Sequence, residues 1–322
     1  MTEIPAETLV TVFGGSGFLG RHVVRALARQ GYRVRNAVRR PDLAGHLQPL
    51  GRVGQIHSVQ ANVRHPASVE AAVRDAAIVV NLVGILFERG KQRFEAVHAE
   101  GAGHVARAAA AQGARMIHLS ALGADAEAPA LYARTKAAGE AAVRAALPAA
   151  TIFRPSIVFG PEDGFFNRFA AMARLSPVLP LIGGGETRFQ PVFVGDVAQA
   201  ILKAVEGATQ GGTIYELGGP EVKSFRALME FVLAVTERRR LLVPLPFALA
   251  SLQAKFLQFL PTPLLTPDQV ELLKRDNVVS AEAAHQGRTF AALGIDPAGF
   301  EAIVPTYLWR FRKTGQFRRR SA

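Results

Sequence analysis

Short runs of consecutive apolar residues, rich in valine and isoleucine, recur along the first half of the chain, and between them the apolar positions return every three or four residues. The runs predict strands over residues 9–13, 32–38, 56–60, 77–83, 115–119 and 150–154. The intervening stretches predict helices over 18–30, 66–74, 100–112 and 132–146, the first with Val23, Val24 and Leu27 on one side and a stop at Gly31. Strands that are apolar throughout and alternate with helices are buried on both faces, so the pattern predicts an α/β fold with a doubly wound parallel sheet. Past Gly160-Pro161 the alternation loosens into a glycine-rich turn at 183–185 and many prolines, which predicts a smaller C-terminal α/β lobe with irregular connections. The expected boundaries are a core over 1–165, to which 189–204 returns, and a lobe over 166–322. In the returning segment Asp196 reads as the N-cap of a helix through Ala204.

Composition narrows the partners. A chain of 322 residues, 49% of them hydrophobic, buries one large core or two unequal lobes and is not disordered as a whole. Cysteine is absent, which excludes disulfides, thiol nucleophiles, thiolate zinc sites and cysteine-ligated iron–sulfur clusters. The formal net charge of +12 favours anionic partners: nucleic acid, phospholipid headgroups or an acidic protein surface. A generally basic proteome would produce the same charge. The opening MTEIPAETLV carries two acids and a short apolar run, unlike a secretory signal or an arginine-rich transit peptide, so a cytosolic-side protein is expected.

The first strand-to-helix turn, VTVFGGSGFLGR at 10–21, satisfies two spacings at once: Gly15-x-Gly17-x-x-Gly20 and Gly14-x-x-Gly17-x-x-Gly20. In either register glycine permits the tight turn, lets backbone amides approach a pyrophosphate, and allows the helix to sit close against the strand. Gly14, Ser16, Gly17, Phe18, Leu19 and Gly20 are therefore candidate dinucleotide-binding residues, and the core is expected to be of the Rossmann type. No Gly-Lys-Ser/Thr follows, which excludes a Walker loop. About twenty residues on, where an acid would hold the ribose 2′-hydroxyl of NAD, the chain has Arg39 and Arg40 instead. Guanidinium groups there suit a 2′-phosphate, which favours NADP(H) over NAD(H).

Ser120 follows the fifth strand, and Tyr132-Ala-Arg-Thr-Lys136 opens the next helix. Tyr132 and Lys136 lie four apart on one helical face, where an ammonium near a phenol favours the phenolate. A phenol so tuned can give or take a proton beside a transferred hydride, with Ser120 hydrogen-bonding a carbonyl.

At these residues the chain resembles the short-chain dehydrogenase/reductase superfamily in its extended or atypical branch. The resemblance is carried by FGGSGFLG, NLVG at 81–84, the Ser120-x-x-Gly123 spacing, YARTK at 132–136, RPSIVFGP at 154–161, FVGDVAQAI at 193–201 and LGGPEV at 217–222. Phe159-Gly-Pro-Glu-Asp-Gly-Phe-Phe-Asn-Arg-Phe169, with Gln190-Pro-Val-Phe-Val194 and Leu241-Leu-Val-Pro-Leu-Pro-Phe247, is further similar to the nucleotide-binding accessory subunits of respiratory complex I, NADH:ubiquinone oxidoreductase, and their alphaproteobacterial counterparts. The resemblance implies a tightly held NADPH without established turnover, Asn62 near the adenine, and Leu82, Val83, Gly84, Tyr132, Lys136, Pro155 and Ile157 around the cofactor. The chain departs from the dehydrogenase pattern with Asn62 for an Asp, His98 for an Asn and Ala121 for a Ser. His98 interrupts the usual proton relay. The catalytic trio Ser120, Tyr132 and Lys136 is formally intact, but Tyr132 and Lys136 would be kept for nucleotide binding alone.

Histidines 22, 46, 57, 65, 104, 118 and 285 show no ligand spacing; they read as structural or solvated, and no metal site is expected. Residues 244–261 are mostly apolar and bounded by prolines, too short to span a bilayer. They suit a core helix, a helix that docks on a partner, or one lying in a membrane interface. The tail 309–320 interleaves six basic residues with three aromatics and no acid, which suits an anionic membrane surface, an acidic partner or a solvated tail. Nucleic acid is not expected.

Three functions remain in order. The first is an NADP(H)-binding, non-catalytic accessory subunit of complex I, peripheral on the cytoplasmic side of a bacterial inner membrane. The second is a catalytic NADP-dependent reductase, dehydrogenase or epimerase. The third is a nucleotide-sensing regulator.

Overall fold

The computed structural model describes residues 5–260 and 263–315. The chain divides into two compact units: Met1–Pro155, Gly195–Leu217 and Ala281–Ile295 form the first, and Ser156–Val194, Gly218–Ser280 and Asp296–Ala322 the second.

Six strands of the first unit follow the apolar runs: β1 (Leu9–Phe13), β2 (Arg33–Val38), β3 (Ile56–Gln60), β4 (Ile78–Asn81), β5 (Arg115–Leu119) and β6 (Thr151–Pro155). A seventh, Ile214–Leu217, lies past the 189–204 segment expected to return to the core. They form one seven-stranded sheet, in the spatial order Ile214–Leu217, β6, β5, β4, β1, β2, β3, with every pairing parallel. The helices are α1 (Phe18–Arg29), α2 (Pro66–Val73), α3 (Glu100–Ala111) and α4 (Leu131–Ala146). Side chains alternate along β1. Phe13 joins Val69, Val79, Val105, Met116, Val143 and Ile152 in a cluster that also takes in α2, α3 and α4, while Val10 and Val12 are equally buried on the other face. Both faces of the sheet are dry, as its uninterrupted apolar strands require.

The chain reverses its winding at β1, which pairs with β2 on one side and β4 on the other. In such a sheet a crevice opens beyond the carboxyl ends of the strands at that reversal, so the glycine turn after β1 and the Leu82-Val83-Gly84 turn after β4 fall beside it.

The expected N-cap at Asp196 is corrected by the structure: α6 runs Val194–Val205, which places Asp196 inside its first turn. Its last carbonyls, of Ala204 and Val205, accept hydrogen bonds from the Arg115 guanidinium of β5.

The second unit is built around phenylalanine. Phe159, Phe166, Phe225 and Phe300 are buried with Leu228, Met229 and Val232 of α7 (Phe225–Val235); Phe231 meets Phe300 edge to face at 4.9 Å and Phe166 stacks on Phe300 at 6.0 Å. One carboxylate organises this apolar interior. Asp163 accepts the amides of Gly160, Phe165 and Asn167 at the start of α5 (Phe166–Leu175), and the Tyr307 hydroxyl donates to it at 2.6 Å. Burial and the adjacent carboxylate raise the Tyr307 phenol above its usual range, so it remains a donor. Tyr307→Phe is expected to cost about 2 kcal/mol by leaving part of a buried carboxylate unmatched, read as a lower midpoint in thermal melts. An unchanged midpoint would show that water replaces the hydroxyl.

Among the described residues no helix is long and apolar enough to cross a membrane, and no group of three or more histidine, aspartate or glutamate side chains could hold a metal ion.

Candidate functional site

The glycine turn is held by its own backbone. Gly14 adopts φ +80°, a conformation costly for any side chain, and its carbonyl accepts the Gly17 amide at 3.1 Å. Its own amide donates to Ala37 of β2. Gly20, on the first turn of α1, lies so close that a Cβ there would strike the Gly14 carbonyl and stand 2.6 Å from Gly15. Gly17 precedes the helix in an extended conformation, and the turn offers no side-chain cap and no acid. The helix thus presents first-turn amides and the positive end of its dipole at the mouth of the crevice, as a phosphate requires.

Arg39 and Arg40 follow β2. Arg40 is spanned by Asp42 in an exposed ion pair at 2.8 Å, whereas Arg39 makes no ion pair with any described residue. Of the two, Arg39 is the guanidinium available to an anionic ligand. Asn62, past β3, uses its Oδ1 to accept the Arg64 amide and its backbone amide to donate to Ser68.

Behind the β4 turn lies a buried polar chain that sequence spacing did not reveal. Asn81 Oδ1 accepts the Val83 amide, and its Nδ2 donates to His118 Nδ1 at 3.3 Å. The Ile85 amide donates to His98 Nε2 at 3.0 Å, which leaves the proton on Nδ1 to be donated to Thr135 Oγ1, whose hydroxyl donates to the Tyr132 carbonyl. His98 thereby holds the turn containing Gly84 against the start of α4. His118, buried and bonded to Asn81, has the structural place expected of it, and both imidazoles feel the charge of the same lysine. Burial first, then the charge of Lys136, lowers each histidine to about 3, so both stay neutral.

Lys136 is buried, donates to the Leu119 carbonyl at 3.3 Å, and lies 5.9 Å from the Tyr132 ring centroid. A Cβ on Gly84 would stand 3.4 Å from its ammonium. Burial lowers Lys136 to about 8, opposed in part by Glu140. That carboxylate is gripped by Arg154 at 2.6 and 2.8 Å, with Glu216 at 3.8 Å. Tyr132 is half-buried, edge-on to Phe94 and His98. Ser120 is buried with its backbone amide tied to Phe153, and its hydroxyl has no hydrogen-bond partner.

Ser120, Tyr132, Lys136 and Gly84 are thus brought together at the carboxyl ends of β4 and β5. Pro155 ends β6, where its carbonyl accepts the Leu122 amide, while Ile157 belongs to the second unit. An orphaned buried hydroxyl, a glycine-lined approach and an uncapped helix start fit a nicotinamide dinucleotide. Such a group, when bound, supplies a hydride that can be given or taken. Around it residues 14–20 would meet the phosphates with backbone amides, Arg39 would offer a guanidinium, and Tyr132, Lys136 and Ser120 would present a phenol, an ammonium and a hydroxyl.

Comparison with known proteins agrees with this geometry. Residues 10–218 match the model of the NAD dependent epimerase/dehydratase family. The chain is 37% identical over 321 residues to NADH dehydrogenase (ubiquinone) 1 alpha subcomplex subunit 9, mitochondrial, of Arabidopsis thaliana, covering 95% of this chain and 79% of that one. It is 32% identical over 309 residues to the NADH-ubiquinone oxidoreductase 40 kDa subunit, mitochondrial, of Neurospora crassa, covering 95% and 80%. The fold matches the NADPH-dependent quinone oxidoreductase QOR2 of Escherichia coli, complexed with NADPH, with a TM-score of 0.73 and 19% identity over 93% of this chain and 99% of that one. By the match over residues 10–218 and by its likeness to these complex I subunits, the chain belongs to the NAD dependent epimerase/dehydratase family.

Proposed function

We propose that this chain is an NADP(H)-binding accessory subunit of a respiratory NADH:ubiquinone oxidoreductase, in which the nucleotide is kept for structure and assembly and is not turned over. The observation that carries this reading is the likeness to the plant and fungal subunits, which extends through the second unit as well as the nucleotide-binding one. Its partners are the other subunits of that complex, and its place is peripheral, on the cytoplasmic face of the inner membrane in a bacterial host. The unpaired Arg39 supports NADP(H) over NAD(H). A ligand that binds only the folded chain stabilises it by about 4 kcal/mol when free ligand exceeds the dissociation constant a thousandfold.

Gently solubilised membranes from the native host test the proposal. The chain is expected to run with NADH:ubiquinone oxidoreductase and to release about one NADP(H) per chain on denaturation. A free protein that exchanges its nucleotide within seconds would sink it.

A second reading, an NADP-dependent reductase or epimerase, is favoured by the orphaned Ser120 hydroxyl beside Tyr132 and Lys136. Tyr132→Phe separates the two. An accessory subunit keeps its co-migration with the complex, whereas an enzyme loses its turnover by at least about a hundredfold while keeping its fold.

A further inference from the structure

The segment 244–261 is not a core helix. It forms α8 (Phe247–Leu257), which buries only Ala250 and Ala254 against Ile182 and Val270, and continues as described turn through Leu260. Its other side carries Leu249, Leu252, Phe256 and Phe259 at helical spacing, with Phe256 72% and Phe259 82% exposed. A helix that is apolar on both sides yet covered on one is unusual for a surface in contact with water.

This stripe is continuous with a cationic cluster. The strand Leu241–Leu245, which leads into α8, pairs in parallel with Val178–Ile182 and turns Leu241 and Val243 outward. At its start, three segments are laced together. Arg240 donates to the Ala173 carbonyl, Arg238 to that of Phe311, and Arg312 to that of Val235. The lacing gathers Arg174, Arg238, Arg239, Arg240, Arg312 and Lys313, with Leu175 standing 82% exposed beside them. Arg238 feels this company, being lowered first by burial and then by Arg240 and Arg174. Residues 238–267 contain no acid, and Lys255 adds a further charge on α8 itself.

We infer that this face of the second unit docks on the surface of an anionic phospholipid bilayer, with the cationic cluster over the headgroups and the α8 stripe entering the interfacial layer. Charge complementarity selects the occupant. Protruding leucine and phenylalanine flanked by a net-cationic cluster, in which Glu237 pairs with Arg312 at 3.4 Å, match a surface that is negative outside and apolar beneath. The inference goes beyond the accessory-subunit reading and does not rest on it, since no partner protein is needed.

The full chain, purified without the complex, is floated with vesicles of phosphatidylcholine alone or with about one third phosphatidylglycerol. Binding is expected only with the anionic lipid. Replacing three exposed cations together, Arg239→Gln, Lys255→Gln and Lys313→Gln, should weaken it about a hundredfold, at about fivefold per charge. Leu252→Ser with Phe256→Ser, both exposed and so neutral to folding, should weaken it to a similar degree, at about tenfold per side chain. No flotation with either lipid, or variants that float like the parent, would overturn the proposal. A chain that runs with the complex but ignores vesicles would assign the face to a protein partner and leave the accessory role standing. A chain that floats but never meets the complex would do the reverse.

Discussion

Alanine at Gly20 and alanine at Gly17 are expected to give different signatures, although the two positions lie three residues apart in one loop. At Gly20 a methyl group meets backbone, the Gly14 carbonyl and Gly15, and neither can rotate away. Helix α1 must then lift from the turn. That overpacking costs about 1–3 kcal/mol and lowers the melting midpoint of the nucleotide-free chain by several degrees, with nucleotide affinity falling alongside. At Gly17 the backbone φ of −77° suits alanine, and the nearest atom to a new Cβ is the Gly14 oxygen at 3.3 Å. Stability should stay within about 0.5 kcal/mol. Yet Gly17 is exposed at the end of the helix, where a pyrophosphate would need bare backbone, so NADP(H) affinity should fall more than about tenfold. The pair therefore tests the site itself. If Gly17→Ala binds nucleotide as tightly as the parent, the glycine turn is steric architecture and the dinucleotide reading fails.

Much of the first unit is legible in the sequence because parallel strands covered on both faces need apolar side chains at every position. The ends were less legible. The fourth strand stops at Asn81, short of the expected 83, because Asn81 Oδ1 captures the Val83 amide and turns the backbone. Residues 281–295 joined the first unit without any signal in the pattern. Arg288 accepts the Glu216 amide and donates to the Ile214 carbonyl, covering the edge of the last strand from a segment more than seventy residues away. The site shows the same division. The glycine turn and the Tyr132–Lys136 pair are local and could be read by spacing. The chain from Asn81 through His118, and the one from Ile85 through His98 to Thr135, depend on which strands lie side by side, which spacing does not encode. Helix α8 is ambiguous in sequence because its apolar positions fall on opposite sides, Ala250 and Ala254 against Leu249, Leu252 and Phe256, so periodicity does not choose its buried side. Of the tail 309–320, residues 316–320 lie outside the described structure.

Lys136→Met is expected to stabilise the nucleotide-free chain while weakening its hold on nucleotide. The ammonium is buried, with a peptide carbonyl as its nearest acceptor, and its nearest carboxylate, Glu140, is already spent on Arg154. Burial lowers it from 10.5 to about 8. Between those values the unfolded chain still holds a proton that the folded chain has given up, so stability rises with pH across that window, by about 3 kcal/mol in all. Below about 8 the folded chain carries a charged, poorly solvated lysine, and that penalty is present in full at pH 7. Methionine fills a similar volume without the charge, and Glu140 keeps its arginine. The variant should gain about 2–3 kcal/mol at pH 7 and lose the rise in stability between about 8 and 10.5. If Lys136 hydrogen-bonds the nucleotide, affinity for NADP(H) should fall at least about tenfold, the cost of removing a charged donor. Melting curves on nucleotide-stripped protein from neutral to alkaline pH, with nucleotide titrations alongside, read both effects. A variant that is less stable at pH 7 would show that Lys136 props up the fold. One that is more stable and still binds normally would show that the lysine serves neither ligand nor fold, and the strain at the centre of the site would need another use.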